Sequence, residues 1–416
     1  MIFYSVFYWI ILMLAVSGKW LFKDELKQLI FLLIFNVVFL FLLSPANILF
    51  LSGLIFINFI CKKAMDPWKA LIVSLVFGIF LKKYFDLTTP LHVSFIMLSV
   101  LGTLTRLPKM DFKKLAKSTL FTLVQVGPIV RSEDVSSLEN DESSYSLSFV
   151  NIFSGFISLS LASALLPTLK KPLMDSLDLI QHFFVVLNLM FLNFQGAVLI
   201  AKGSSELLGF KVPSNFNQPY FARSLQEFWK RWHISMGNFF SENVYRPVQL
   251  AFLSKLEMPT ARQVQHSKLV ALLLTWSLIG IWHKPTFLFL LWGLFNAVFV
   301  FIPAKKFKLD NIFATLFLIY VSHLLFLAED VGSLSDYLVQ LQSLRFLTPG
   351  SLMPKIIGII FNLALFFMSQ RMFSWAPYIK NRLFENKWLY YTTIVCLFLL
   401  SLVYYYKDQI IIYGQF

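Results

Sequence analysis

Two histidines stand out because each directly follows a tryptophan, in a chain that has six histidines in all. His233 follows Trp232, and His283 follows Trp282. A neutral imidazole, with an unperturbed pKa of about 6.5, can accept a proton from a hydroxyl group at physiological pH. Histidine is therefore the usual general base of enzymes, and the pair is a candidate for acid–base chemistry.

Simpler explanations of the pair stay open. A buried histidine often only hydrogen-bonds the neighbouring backbone, and we interpret the other four histidines in this way: His92, His182, His266 and His323. No metal site is predicted, because no carboxylate or cysteine lies at ligand spacing beside His233 or His283. Cys61 and Cys396 both lie in or beside apolar runs and indicate neither a disulfide framework nor a zinc site.

The residues around His233 predict a helix that carries it. Ser224 and Glu227 have the S-x-x-E spacing of a capping box, which places the start of the helix at Ser224. An apolar stripe follows at helical spacing: Trp229, Trp232, His233, Met236 and Phe240. We therefore expect one continuous helix with His233 on its aromatic face. His283 ends a long apolar run, and Pro285 predicts that a second helix ends there.

The longest moderately polar block lies between about 202 and 268 and supplies further binding candidates. These are Asn215, Asn217, Tyr220, Arg223, Lys230, Arg231, Tyr245 and Arg246. Loop capping or anchoring at a membrane interface would explain each of them alone. Arg131, which follows Gly127 and Pro128, is either a ligand for a phosphate or carboxylate or a simple interfacial arginine.

The composition is that of a polytopic membrane protein. Of the 416 residues, 57% are hydrophobic, 14% are charged and 47 are phenylalanines. A soluble protein carries about 25% charged residues. Apolar runs recur from Ile2 to Tyr406 without a soluble-looking block, so residues 1–416 are predicted to form one all-α integral membrane domain.

The apolar segments define the candidate membrane spans. They lie at roughly 2–17, 29–44, 47–60, 70–81, 90–104, 118–130, 147–166, 177–201, 268–283, 286–302, 311–328, 356–369 and 388–406. Several are shorter than the ~20 residues that cross a bilayer as a helix. Such segments are tolerated only where protein or a water-filled cavity shelters their backbone. We therefore expect some of them to be half-helices around a cavity.

The loop charges predict an orientation and exclude a nucleic-acid-binding protein. The net charge is +14, but most of the basic residues lie in short loops beside apolar runs, as is typical of the cytoplasmic face of a membrane. The basic loops are 19–27, 61–69, 106–117 and 167–171. The acidic segment 131–146 falls on the opposite side, which places the N-terminus outside the cytoplasm. No basic residue precedes the first apolar run, so a cleaved signal peptide is not expected.

Four blocks of the sequence resemble the membrane-bound O-acyltransferase (MBOAT) family, in particular the bacterial branch that O-acetylates alginate and other surface polysaccharides. Pro90–Phe95 is similar to P-L-G-I-S-F, with His92 in place of glycine, and Val126–Arg131 is similar to A-G-P-I-V-R. The longest block comprises residues 207–210, 215–220 and 227–235. The fourth comprises Gly280–His283 and Leu291–Leu294, similar to G-x-W-H and L-W-G-L. The ending Tyr413–Phe416 resembles the Y-F-Q-F terminus of the alginate-type enzymes, and the core of the resemblance spans about 90–295.

The chain also departs from the family pattern. Gly196–Leu199 stands where family members often have G-Y-S-D, so that carboxylate is missing. Ser241–Pro247 stands in place of R-D-Y-x-Y-x-P, and Lys284 replaces the glycine that usually follows the histidine. These changes retain both histidines and alter their surroundings.

The resemblance implies an arched ring of about 11–13 membrane helices, with short re-entrant and interfacial helices, around a central tunnel. It implies that His283 is the catalytic histidine and that His233 is the second family histidine. Five further residues are expected to bind or support substrate: Asn217, Arg231, Trp232, Tyr245 and Trp282. The donor would be a thioester on the cytoplasmic side, acetyl-CoA or an acyl-carrier protein, and no other cofactor is expected.

We therefore expect a multi-pass acyltransferase of the bacterial cytoplasmic membrane. It would move an acyl group, most simply acetyl, to a hydroxyl of an extracytoplasmic cell-surface polysaccharide or partner protein. Its partners would be the lipid bilayer, the donor, the glycan acceptor, and an extracytoplasmic acetyl-esterase-like protein or a small carrier protein. Two alternatives stay open: D-alanyl transfer to teichoic acid within the same family, and a non-catalytic transporter or channel with the same fold. The alginate-type ending Tyr413–Phe416 and the sequence of Asn215–Tyr220 favour the O-acetyltransferase branch over D-alanyl transfer.

Overall fold

A computed structural model describes residues 6–19, 21–84, 94–106, 112–124, 126–137, 142–328, 330–346 and 352–385. Helices form nearly all of the described chain. In order they are α1 (Val6–Lys19), α2 (Glu25–Leu43), α3 (Pro45–Ala64), α4 (Pro67–Tyr84), α5 (Ser94–Arg106), α6 (Phe112–Ser118), α7 (Glu142–Leu169), α8 (Ser176–Leu207), α9 (Leu225–Arg231), α10 (Ile234–Phe240), α11 (Arg246–Leu253), α12 (Ala261–His283), α13 (Phe287–Phe301), α14 (Ile312–Leu327), α15 (Val331–Gln342) and α16 (Leu352–Glu385). Among the described residues, the one sheet consists of β1 (Ser136–Ser137) and β2 (Phe210–Lys211), which pair antiparallel.

The fold is that of an all-α polytopic membrane protein, as predicted. Within the described residues, six helices are long and apolar enough to cross a membrane: α2, α3, α7, α8, α12 and α16. The shorter apolar helices are α1, α4, α13 and α14. Large apolar side chains such as Met13, Phe56 and Phe317 are exposed on the outer surface, where lipid can cover them. The prediction for 388–406 falls outside the described residues.

Helix α8 is the centre of the described chain. Its 32 residues include an apolar stretch whose side chains are almost all buried, among them Val185, Phe191, Phe194 and Ala201. It packs against α7, α14 and α16. A helix that is apolar on all sides is expected in such a central place, because neighbouring helices cover every face of it.

The predicted span at 118–130 is wrong. This segment contains a short 3₁₀ helix, Phe121–Leu123, and then runs as irregular chain through Gly127 and Pro128. Its described side chains from 118 onward are buried, so the apolar run reflects burial in protein rather than contact with lipid. Side chains replace the missing helical hydrogen bonds: Asn36 Oδ1 accepts from Phe121 N (2.9 Å), Ser235 Oγ from Ile129 N (3.0 Å) and Ser99 Oγ from Val130 N (3.1 Å). Irregular backbone at membrane depth is tolerated under such shelter.

Candidate functional site

His233 lies at a break between two short helices, so the predicted continuous helix through Trp229 and Phe240 is wrong. α9 ends at Arg231 and α10 begins at Ile234. The capping prediction is confirmed, because Ser224 Oγ accepts from Glu227 N at 3.1 Å. At the break His233 has φ 47° and ψ 53°. This left-handed conformation is uncommon for a residue other than glycine and is retained only where the surroundings hold it.

The extended segment 215–217 provides those surroundings. Asn217 N donates to Arg231 O at 2.9 Å, and Ile234 N donates to Asn215 O at 2.9 Å. Phe216 forms an antiparallel bridge with Trp232 between these two bonds. The carbonyl of Arg231 and the N–H of Ile234 are therefore bonded to this segment and not within a helix. The helix breaks between α9 and α10 as a result.

Trp232 anchors the break in the core. Its ring is 1% exposed and packs against six aromatic side chains, with ring centroids 5.1–6.1 Å apart: Phe191, Phe194, Phe216, Tyr220, Phe228 and His323. The next residue, His233, is also 1% exposed, and its ring lies 4.8 Å from that of Phe194. Trp232 is thus a packing residue that also borders the cavity described below.

His283 ends α12, as Pro285 predicted. The residue is 6% exposed. Its ring is enclosed by those of Trp282, Phe326 and Trp292, at centroid distances of 4.7, 5.1 and 5.5 Å. A histidine in such an aromatic enclosure is fixed in orientation by packing.

The glycines of the G-x-W-H and L-W-G-L blocks allow α12 and α13 to approach closely. A Cβ atom on Gly280 would lie 2.2 Å from the carbonyl oxygen of Phe289, and one on Gly293 would lie 2.3 Å from that of Trp276. Any larger residue would force the helices apart. The two glycines therefore set the distance between His283 and Trp292.

A buried polar network joins α9 to the wall around His283. Trp229 Nε1 donates to Asn296 Oδ1 at 3.0 Å, and Trp292 Nε1 donates to Ser322 Oγ at 3.0 Å. Ser322 Oγ and Asn296 are in turn hydrogen-bonded, with Oγ 3.2 Å from Oδ1. Neither Asn296 nor Ser322 could be singled out from the sequence, because each lies in a largely apolar helix and belongs to no motif.

The two predicted histidines lie close together. Burial lowers the pKa of His233 well below its usual value of 6.5, and the proximity of His283 lowers it further. His233 is therefore neutral at physiological pH. The ring of Trp282 also contacts that of Phe240 at 6.3 Å, which joins α12 to α10.

A cavity of about 660 Å³ is lined by both sequence neighbours of His233, while neither histidine is itself among the lining residues. Its walls come from α9, α10, α12, the end of α13 and a π-helical turn at Ser241–Tyr245. It reaches Trp232 and Ile234, on either side of His233, and Ile279, one helical turn before His283. Two lysines line it, Lys230 and Lys268, among the aromatic side chains Trp229, Trp276, Tyr245, Phe299 and Phe301. Such a lining suits a long ligand with both apolar and anionic parts.

The five predicted supporting residues divide into two groups. Trp232, Trp282 and Tyr245 lie beside a histidine or the cavity. Burial raises the pKa of Tyr245, so its hydroxyl stays protonated. Arg231 instead pairs with Glu227 and approaches Gln218 O at 3.5 Å. The side chain of Asn217 is exposed. The structure brings neither of these two side chains to the histidines.

Asn215 takes the place expected for Asn217. Its Oδ1 lies 3.3 Å from His233 Nδ1 and accepts from Ser235 N at 3.0 Å. Both asparagines stood among the polar candidates in the sequence. Only the pairing of the 215–217 segment with 231–235 decides which of them faces the histidine.

Arg131 binds carboxylates of its own chain. Its guanidinium pairs with Asp134 and with Glu242, which lies in the π-helical turn. The hydrogen bond with Asp134 is the main cause of the raised pKa of Arg131. The residue thus ties the irregular segment after Pro128 to the cavity wall.

The remaining histidines lie apart from the pair or in its packing. His182 Nδ1 lies 2.9 Å from Tyr320 Oη, and His323 Nε2 lies 3.1 Å from Tyr220 Oη. His266 is exposed on α12, and His92 is outside the described residues. In the part of the chain that the structure describes, no group of three or more His, Cys, Asp or Glu is placed to hold a metal ion.

Comparison with known proteins gives one family and several relatives. The profile of the membrane-bound O-acyltransferase family matches residues 74–308. A teichoic acid D-alanyltransferase of Bacillus subtilis is 29% identical over 109 residues, which are 26% of this chain and 27% of that protein. A probable alginate O-acetylase of Azotobacter vinelandii is 32% identical over 111 residues, 27% of this chain and 20% of that protein. A peptidoglycan O-acetyltransferase of Helicobacter pylori is 26% identical over 193 residues, 43% of this chain and 35% of that protein.

The matched segments thus span between a fifth and about a third of the length of these relatives. The family match is broader: it covers more than half of the 416 residues and includes both histidines, the glycines that pack α12 on α13, and the cavity wall from Ser224 to Ala304. The chain belongs to the membrane-bound O-acyltransferase family.

Proposed function

We propose that this chain is an acyltransferase that moves an acetyl group from a thioester to a hydroxyl of an extracytoplasmic polysaccharide or partner protein. One observation carries the proposal. His233 and His283 are both buried and near enough to interact, and the residues on either side of His233 line a cavity of about 660 Å³ that is large enough for a thioester arm. Family membership supports the reaction class.

His283 acts as the general base in this proposal. Its imidazole removes the proton from the acceptor hydroxyl while that oxygen attacks the thioester carbonyl carbon. The tetrahedral intermediate then collapses, the C–S bond breaks, and the departing sulfur takes the proton from the imidazolium. The products are an ester and a free thiol, and His283 returns to its neutral form. General acid–base catalysis of this kind contributes ~10²–10⁴-fold to a rate.

His233 orients the substrate or stabilises the developing charge. Burial keeps its imidazole neutral, and a neutral imidazole presents one hydrogen-bond donor and one acceptor. Its place at a strained backbone position, φ 47°, supports a functional role, because such strain clusters at active sites. Trp282 packs on His283, and the Tyr245 hydroxyl in the cavity wall would be a further donor.

The cavity admits the donor. Lys230 and Lys268 would face the phosphate groups that acetyl-CoA and the phosphopantetheine of an acyl-carrier protein share. The aromatic walls would hold the apolar part of the arm. Access from the cytoplasm is part of the proposal and rests on the basic loops of the sequence.

The second candidate is D-alanyl transfer to teichoic acid. The similarity to the Bacillus subtilis D-alanyltransferase favours it. Acetyl transfer to a glycan is the first candidate, because the similarity to the peptidoglycan O-acetyltransferase extends over 43% of this chain against 26% for the D-alanyltransferase. The donor decides between them: acetyl-CoA for the first and a D-alanyl carrier protein for the second.

The decisive experiment replaces the histidines one at a time. A deletion strain is complemented with each variant at matched expression, and the acyl content of the cell-surface polymer is measured. His283→Ala should lower acylation ~10²-fold or more while the purified protein stays folded in detergent. His233→Ala should lose less, and His233→Gln should recover part of that loss if the residue acts by hydrogen bonding.

His266→Ala is the matched control, because His266 is exposed on the same helix as His283. It should acylate like the wild type. Normal acylation by His283→Ala would refute the catalytic proposal and leave a transporter or channel. A transporter would move substrate without cleaving the thioester, which release of free thiol from a labelled donor distinguishes.

A further inference from the structure

The side-chain oxygen of Asn215 is the hydrogen-bond acceptor for the first turn of α10. It accepts from Ser235 N at 3.0 Å and from Ser235 Oγ at 2.9 Å, and it lies 3.3 Å from His233 Nδ1. The backbone oxygen of Asn215 accepts from Ile234 N at 2.9 Å. Asn215 is 2% exposed, so water does not compete for these bonds.

The orientation of the Asn215 amide follows from one of these partners. An amide can be turned so that either its oxygen or its nitrogen faces a given neighbour. Ser235 N can only donate, so the atom facing it has to be the oxygen. The same oxygen faces His233 Nδ1, and an amide oxygen can only accept. The hydrogen therefore has to be on Nδ1.

We propose that Asn215 is a positioning residue that fixes His233 as the Nδ1–H tautomer and leaves the lone pair on Nε2. In a neutral imidazole, the hydrogen bond made by one nitrogen determines the state of the other. His233 would thus meet its substrate partner as a hydrogen-bond acceptor. The catalytic consequence rests on the proposed function, whereas the tautomer itself does not.

Ser235 links Asn215 to a third segment of the chain. Ser235 Oγ, which donates to Asn215, also accepts from Ile129 N at 3.0 Å. The irregular segment after Pro128 is thereby connected to the first turn of α10. Asn215 and Ser235 together thus connect Ile129 to the segments 215–217 and 233–235.

The tautomer can be measured without any variant. Protein labelled with ¹⁵N- and ¹³C-histidine is reconstituted in lipid, and the ring nitrogens are assigned by solid-state NMR, with His233→Gln used to identify the signals that belong to His233. At pH 7.5 the wild type should show a protonated Nδ1 and an unprotonated Nε2. A protonated Nε2 in the wild type would overturn the proposal.

Two variants test the cause. Asn215→Asp keeps an oxygen acceptor toward His233 and should retain the Nδ1–H tautomer. Asn215→Leu has a similar volume without the acceptor and should give a mixture or the Nε2–H form. An unchanged tautomer in folded Asn215→Leu would show that Asn215 does not set it. Asn217→Ala is the control, since that side chain is exposed on the same segment.

Kinetics add a second readout. Asn215→Leu should lower kcat ~10-fold or more with little change in the donor KM, and Asn215→Asp should recover part of kcat. A lower kcat with an unchanged tautomer would also refute the proposal. If His283→Ala leaves acylation intact, the proposed function fails while the NMR result still decides the role of Asn215.

Discussion

Trp232→Ala should destabilise the whole protein before it affects chemistry. Trp232 is among the largest fully buried side chains and lies at the centre of six aromatic rings. Truncation leaves a cavity between α8, α9 and α14. The helix break that carries His233 loses its anchor at the same time, because Trp232 is the residue directly before it.

The magnitude follows from the packing. Truncating a buried aromatic side chain to alanine costs ~3–5 kcal/mol, which is a large share of the ~5–15 kcal/mol by which folded proteins are stable. Unfolding carries an entropy of about 2.1 cal/mol/K per residue. For 416 residues that entropy converts the loss into a fall in Tm of roughly 3–6 °C.

The assay pairs thermal unfolding in detergent with acyl transfer at matched protein. Trp232→Phe should lose less of both, since a smaller ring fills part of the cavity. Phe317→Ala is the matched control, because Phe317 is exposed on α14 and its truncation leaves no cavity. A wild-type Tm together with selective loss of turnover in Trp232→Ala would refute the packing argument and make Trp232 a substrate contact.

Two further predictions concern helix approach and orientation. Gly280→Ala places a Cβ atom 2.2 Å from Phe289 O, so it should lower the stability by ~1–3 kcal/mol and also lower the activity. Gly53→Ala is the control and should change neither, because its Cβ atom would meet nothing within 4 Å. Equal Tm values for the two variants would contradict the close approach of α12 and α13. In a variant without native cysteines, cysteines at Ser136 and Lys114 should react alike with an impermeant maleimide in intact cells, and not from opposite sides as the loop charges predict. The described residues of 118–130 form no membrane-spanning helix, and Ser137 pairs with Phe210, whose ring lies 5.4 Å from Lys19 Nζ. Reaction at only one of the two cysteines would contradict this arrangement.

The membrane helices could be predicted from the sequence because each needs a long apolar run, and the observed helices begin and end within a few residues of most predicted spans. The exception at 118–130 shows the limit of this reasoning. An apolar run indicates that a segment is shielded from water. A segment buried in protein and one buried in lipid have the same apolar composition. Only partners distant in sequence, such as Asn36 and Ser99, reveal that irregular backbone is satisfied there.

The candidate site was predictable in its histidines and not in its geometry. The Trp–His pairs and the glycines near His283 carry a local signal, and the end of α12 at His283 followed from Pro285. The break at His233 carries no such signal: the spacing of Trp229, Trp232 and Phe240 satisfies a continuous helix. Pairing with residues 215–217 outweighs that local preference, since tertiary contacts routinely override helix propensity.

The two histidines are held by different means, and this difference fits the roles proposed for them. His283 ends a regular helix, and rings on three sides fix it by packing. His233 occupies a strained backbone position that hydrogen bonds to a neighbouring segment maintain. A base needs a fixed direction toward one proton, which a rigid aromatic enclosure supplies. A group that orients substrate needs a defined donor and acceptor, which the contact with Asn215 supplies. The same Trp–His dipeptide thus stands in two settings, because its tryptophan packs at a helix end before His283 and at a helix break before His233.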